Sequence, residues 1–277
     1  MEASMWQQAF IETVTRSLED DPRLTALFLS GSFGKGEADA QSDVDLLAIV
    51  APEDQAGFAA DWRARLDAII PVVFWNELTR GGHVINAVGA DWQRVDLALA
   101  GRDTLGRRAQ DSLRPLIDRE GLYAAFVPSN AWPGPDTPRV AALIDEFIRI
   151  LGLLPVVIGR EEYETAAWGL ELQRLGLFNL LSEEVERADK GGMLAWKRRF
   201  PPERLALLAA VPRVQAERQA LIDAHLAAAA IFLPHARHLA GKWHVPWPHA
   251  FEDAAWRHIE RTLGIARPAW ATAPLSA

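Results

Sequence analysis

Cysteine is absent from the sequence, which excludes disulfides, cysteine nucleophiles and thiolate metal sites and leaves only oxygen or imidazole to hold a metal. Long apolar runs are also missing, since none approaches the roughly 18 residues that a membrane-spanning helix needs. The first residues, MEASMWQQAFIETVTRSLEDD, read as an acidic amphipathic helix and lack the basic-then-apolar order of a secretory leader. Together these features predict a cytoplasmic protein with no membrane partner. A net positive charge is lacking too: the formal charge is −8, which disfavours broad contact with a phosphate backbone and makes long nucleic acid a poor first candidate for a partner. Two phosphate-binding fingerprints fail. The spacing GxxxxGK[ST] starting at Gly31 would need lysine where Glu37 stands, and Gly31, Gly34 and Gly36 do not spell GxGxxG. There is no internal repeat.

What remains is ordinary globular composition, 49% hydrophobic and 24% charged over 277 residues, enough for one large or two moderate domains. Residues 5–18 suit a helix. Leu24–Ser30 and Val44–Val50 are short apolar runs, the second ending at Pro52, and residues 53–69 return to helical spacing with acidic residues in the first turn. Residues 72–75, 83–88 and 93–100 read as short strands around a turn at Gly81 and Gly82. Residues 1–125 therefore predict an α/β (α+β) sheet domain. Four prolines in LYAAFVPSNAWPGPDTP, residues 122–138, three of them in its second half, mark a connecting arm, with 126–138 taken as the linker. Beyond it, helical patterns at about 139–153, 161–188, 202–211, 213–240 and 249–264 predict an all-α bundle over 139–266, followed by a loose tail at 267–277.

The stretch GSFGKGEADAQSDVDLLAIV, residues 31–50, concentrates the chemistry. Residues two apart in a strand share a face, so Asp43 and Asp45 project together while Val44 and Leu46 point the other way. Two adjacent carboxylates repel and need cations, donors or solvent to stabilise them. Oxygen ligands at that spacing suit Mg²⁺, which shares its coordination shell with substrate phosphates. Gly31 permits close approach of backbone to a ligand, and Ser32 offers an amide and a hydroxyl at the start of a helix, so a phosphate is expected there. Lys35 can add a point charge, although on a glycine-flanked turn it can equally face water.

DPRLTALFLSGSFGKGEADAQSDVDLLAIV, residues 21–50, resembles the signature of the nucleotidyltransferase superfamily that includes polymerase beta: a strand, Gly-Ser, a helix, then an Asp-x-Asp strand. Within that superfamily it looks most like the antibiotic-modifying lincosamide and aminoglycoside nucleotidyltransferases. The resemblance implies an adenylyltransferase-type enzyme using two Mg²⁺ ions and ATP or another nucleoside triphosphate. A hydroxyl of a small acceptor, cationic in the aminoglycoside case, attacks the α-phosphate and pyrophosphate leaves. Gly31 and Ser32 would hold the triphosphate, with Lys35 beside them, and Asp43 and Asp45 would bind metal. The family pattern also calls for a third acidic residue, as metal ligand or general base. Asp96 is the choice because it is the only carboxylate inside an apolar run after Asp45 in this half; Asp91 and Glu77 are the alternatives. The same resemblance admits a protein-modifying, antitoxin-like enzyme, a nucleotide-binding module without turnover, and a homodimer.

In the helical half, Glu171, Arg174, Lys190 and Lys197 could touch triphosphate or acceptor, against a plainer role as solvated helix faces. His235 and His238 sit three apart without a third ligand nearby and read as surface or packing histidines. Trp92, Trp132, Trp168 and Trp196 could stack on a ring, although large aromatics more often fill cores.

Overall fold

The computed structural model describes residues 5–103, 108–188, 190 and 193–271. It divides into two compact units, Met1–Asn130 and Ala131–Ala277. As the patterning predicts, an α/β sheet unit is followed by a helical one.

The first unit holds a mixed sheet of β1 (Leu24–Leu29), β2 (Val44–Val50), β3 (Val72–Leu78), β4 (His83–Gly89), β5 (Arg94–Ala100) and β6 (Arg114–Asp118), in the order β3-β4-β5-β2-β1-β6. β2 runs parallel to β5, and the other neighbours are antiparallel. The central β1 and β2 are buried along nearly their whole length, which is why they read as continuous apolar runs, whereas β5 alternates buried and half-buried residues. α1 (Met5–Leu18) and α3 (Gln55–Ile69) cover one face: Phe10, Ile11, Val14 and Leu18 from the first and Phe58, Trp62 and Leu66 from the second join Leu27, Leu46, Val95 and Leu97 in one core. Each large side chain so buried contributes about 1.5–3 kcal/mol. α3 starts two residues later than its sequence suggests, with Asp54 at the cap and no acidic residue in its first turn. β6 is not evident from sequence, because its five residues include Pro115; the strand lies at the sheet edge, where a missing N–H costs no ladder bond.

On the other face, Leu122 and Phe126 cover the β2-β1 end, Phe126 meeting Phe28 edge-on at 5.4 Å between ring centroids. Residues 122–126 thus pack into the sheet unit rather than forming part of an arm; the first of them make a single 3₁₀ turn, Leu122–Ala125, whose amides at Leu122 and Tyr123 donate to Asp118.

The second unit comprises α4 (Thr137–Gly159), α5 (Tyr163–Glu183), the short α6 (Trp196–Arg199), α7 (Pro202–Ala210), α8 (Arg218–Lys242) and α9 (His249–Leu263). Its core centres on the stacked rings of Phe147 and Phe232, 3.9 Å apart. Asp136 caps α4 by accepting from the Arg139 amide. The segment read as a loose tail is held as far as Ala271: Arg267 pairs with Glu252 at 2.9 Å, Trp270 packs on Trp256, and the Ala271 carbonyl accepts from Arg237. The remainder of that segment, 272–277, lies outside the described residues. No helix among the described residues is long and apolar enough to cross a membrane.

The cations and histidines singled out in this half are largely committed. Arg174 donates to the carbonyls of Val211 (2.9 Å) and Pro212 (2.8 Å) just beyond α7 and to Glu171 (3.1 Å). Lys190 pairs with the buried Glu183, and His235 is buried against Glu184 at 2.8 Å while His238 is exposed. Lys197 is exposed on α6. Trp92, Trp168 and Trp196 are also exposed, and Trp132 is half-buried.

Candidate active site

Strand pairing assembles the site. The parallel β2/β5 register sets Asp45 opposite Asp96, and the antiparallel β4/β5 register sets Asn86 opposite Asp96. Asp43 immediately precedes β2. Asp43, Asp45 and Asp96 each present a carboxylate oxygen, all within 4.8 Å of one another, and among the described residues this is the one cluster of three or more acidic or imidazole groups able to hold a metal ion. Of the alternatives, Asp91 sits exposed in the turn before β5, and Glu77 on β3 pairs with His83 at 2.6 Å. Glu77 lies opposite Ile85, which lies opposite Leu97, so it occupies the face away from Asp96.

The glycine turn is built against these carboxylates. Gly31 has φ +55°, and a Cβ there would stand 1.8 Å from Asp45 Oδ2, so both backbone conformation and space demand glycine. A Cβ on Gly34 would meet the Ser112 carbonyl oxygen at 2.2 Å. The turn, α2 (Gly31–Gly34), is tied to β2 by the Ser30 amide donating to the Asp45 carbonyl at 2.9 Å. Between turn and strand, the connection is braced from α1: the buried Gln7 amide donates to the carbonyls of Asp39 (3.1 Å) and Ser42 (2.6 Å). Ser32 Oγ is buried and has no hydrogen-bond partner among the described residues, an unusual state for a hydroxyl and one that a ligand oxygen would relieve.

Electrostatics follow from this crowding. Burial, then the charges of Asp43 and Asp96, push the Asp45 carboxyl up to about 6, with Lys35 and Arg94 pulling the other way. Burial also raises Asp96, against a hydrogen bond from the Asn86 side chain. Lys35 is half-buried, and its charge acts on Asp45. Two cations here escaped the sequence reading as parts of the site. Arg94 lies 3.4 Å from Asp43 Oδ2 and donates to the Gln41 carbonyl at 2.7 Å. Arg108 is drawn down by burial while the Asp45 charge opposes the shift. Neither stands in a motif; what exposes each is an electrostatic interaction with a carboxylate far away in sequence.

The registers also define the surface that continues from the carboxylates. A polar row runs Asp45, Asp96, Asn86, Asn76 across successive strands, flanked on one side by Arg94, Val88 and Phe74 and on the other by Ala98, Val84 and Leu78. Phe74 and Leu78 are about half exposed, at 51% and 50%. With strands spaced about 4.8 Å, the row from Asp96 to Asn76 spans roughly 10 Å.

Residues 11–88 match the family model described as a nucleotidyltransferase domain. Among solved structures, the chain is similar to an aminoglycoside 6-adenyltransferase from Bacillus subtilis, at 13% identity and a TM-score of 0.42 over 94% of this chain and 98% of that one. It is also similar to a nucleotidyltransferase-like protein from Exiguobacterium sibiricum, at 14% identity and a TM-score of 0.37 over 94% and 89%. A CCA-adding enzyme from Thermotoga maritima, complexed with tRNA, aligns at 10% identity and a TM-score of 0.33 over 96% and 93%. No curated protein matches the chain. The matched region, residues 11–88, is similar to a nucleotidyltransferase domain and contains Gly31, Ser32, Asp43 and Asp45.

Proposed function

We propose that the protein transfers a nucleoside monophosphate, AMP from ATP, to a hydroxyl of a small molecule. The observation that carries this reading is the convergence of three carboxylate oxygens within 4.8 Å beside a turn whose glycine leaves room for them. An all-oxygen donor set of this kind fits Mg²⁺, and the unpartnered Ser32 hydroxyl fits a phosphate oxygen. Two Mg²⁺ ions bound there would stabilise both the attacking and the leaving oxygens of an in-line displacement.

The chain's own residues do the rest. Gly31 and Ser32 hold the triphosphate by backbone and hydroxyl, and Lys35 adds positive charge. Asp43, Asp45 and Asp96 are the metal ligands, and Asp96 also takes up the acceptor proton. The acceptor oxygen bonds to the α-phosphorus, the bond from that phosphorus to the bridging oxygen breaks, and pyrophosphate leaves with its electron pair. Orientation supplies much of the acceleration, because the two reactants meet in one fixed geometry. The helical unit is assigned the choice of acceptor.

Aminoglycosides and lincosamides are the acceptor classes considered, with antibiotic resistance as the consequence. The apolar rows beside Asn86 and Asn76 favour the lincosamide type, which carries an apolar surface next to its hydroxyls. A nucleoside triphosphate co-substrate fits a cytoplasmic protein. The test is incubation with labelled ATP, Mg²⁺ and a panel of both antibiotic classes, followed by pyrophosphate and product mass. A product heavier by one nucleoside monophosphate is expected; label appearing only on protein would reject the small-molecule acceptor.

A further inference from the structure

Asn86 stands in the middle of HVINAVG, a strand whose other residues on the same face are Val84 and Val88. Asparagine is depleted from strands, so its presence between two β-branched residues calls for a reason. The register supplies one: Asn86 lies directly opposite Asp96 on the same face of the sheet, and its side chain is among the groups that hold the Asp96 carboxyl down against burial. Asp96 has Asp45 on its other side, at the equivalent position of the parallel strand. A carboxylate that must sit within 4.8 Å of two others is pushed by their charge toward other rotamers, and a fixed donor on its far side opposes that.

We propose that Asn86 is a positioning residue, whose side-chain amide donates to Asp96 and fixes the direction of that carboxylate within the three-aspartate group. The proposal rests on reading those aspartates as ligands of a divalent cation. Groups that orient metal ligands commonly matter almost as much as the ligands, and their loss typically costs about 10–100-fold in metal affinity or activity. Asn76 provides an internal control. It lies opposite Asn86 on β3, on the same face, but one strand further from the aspartates.

The experiment titrates Mn²⁺ alone onto the full chain and follows free Mn²⁺ by electron paramagnetic resonance, for wild type, Asn86→Leu, Asn86→Ala, Asn76→Leu and Asp96→Asn. Asn86→Leu keeps the side-chain volume without the donor, and Asn86→Ala serves if the leucine variant does not fold. Mn²⁺ affinity should fall about tenfold in the Asn86 variants, fall at least as far in Asp96→Asn and stay within twofold in Asn76→Leu. With nucleotide and acceptor, kcat should drop about 10–100-fold while KM for the triphosphate stays within threefold. Unchanged Mn²⁺ affinity in the Asn86 variants overturns the proposal, as does an equal loss in Asn76→Leu. A wild-type chain that binds no Mn²⁺ overturns it together with the ligand reading of the aspartates. If the Mn²⁺ pattern holds but no acceptor is ever modified, the positioning role stands and the transfer reaction is what fails.

Discussion

Asp45 and Glu252 are both carboxylates drawn out of solvent, one in the sheet unit and one in the helical unit, and their surroundings treat them in opposite ways. Glu252 is buried to 1% exposure and fully answered: Arg237 and Arg267 pair with it, Trp247 Nε1 donates at 2.7 Å, and Trp256 Nε1 reaches toward it at 3.4 Å. Asp45 faces two more carboxylates, with Lys35 and Arg94 only partly offsetting them. Asp21, elsewhere in the sheet unit, repeats the first pattern. Its carboxyl is held down by hydrogen bonds from Arg23, with Arg65 paired at 2.9 Å. A buried carboxylate with its cations in place serves the fold, whereas one surrounded by other carboxylates is left requiring a cation that the chain does not itself supply.

The largest test of that contrast is to remove the charge at each place. Asp45→Asn should lower the rate of transfer by roughly a thousandfold or more, while circular dichroism stays that of the wild type. Asp96→Asn should be comparably severe. Wild-type turnover in the first variant would remove Asp45 from the metal site, and wild-type turnover in the second would take the base role away from Asp96. Glu252→Ala should do the reverse, destabilising the helical unit by about 3–5 kcal/mol in urea unfolding, because two arginines lose their buried partner. A loss under about 1 kcal/mol would mean that Arg237 and Arg267 find other partners.

Gly31→Ala comes next. The new methyl would collide with the Asp45 carboxylate, and φ +55° is strained for alanine, so both stability and turnover should suffer, with a cost of about 1–3 kcal/mol. The same substitution at Gly36, which also has positive φ but has nothing within 4 Å of an added Cβ, should leave Mg²⁺-dependent turnover within a few-fold. Equal losses at the two glycines would show that backbone strain alone, and not room beside Asp45, explains Gly31.

The two sides of the comparison were not equally legible in the sequence. β1, β2 and β5 stand out as apolar runs bounded by Gly or Pro, and two aspartates one residue apart at the head of an apolar run are rare enough to draw notice. The pairing order is another matter. That β5 lies beside β2, and therefore that Asp96 lies beside Asp45, depends on a crossover that local pattern does not encode, and the same holds for Asn86 and Arg108. Gln7 reads only as a polar position on a helix until its two carbonyl partners on the connecting loop come into view. On the helical side, Pro268 and the alanines beyond it suggest a free end. What holds residues 267–271 is Arg237 and Glu252, remote in sequence and unremarkable on their own helices.

The smallest effect is the most specific to Asp45. Its carboxyl titrates at about 6 in the folded chain against 3.8 as the ordinary value, so between these values the folded state holds a proton that the unfolded state has released. The resulting cost to stability is fully present above about pH 6 and is gone below about 3.8. Without divalent cation, Asp45→Asn should therefore melt higher than wild type by about 2–4 °C at pH 7.5, and the gap should close as pH falls toward 4. Turnover should move the other way. Binding a cation requires the ionised carboxylate, so wild-type transfer should fall as pH drops through 6 even as the metal-free fold gains stability. A melting gap that stays constant from pH 7.5 to 4 would mean that Asp45 does not titrate in this range, and that its charge is balanced within the fold as that of Glu252 is.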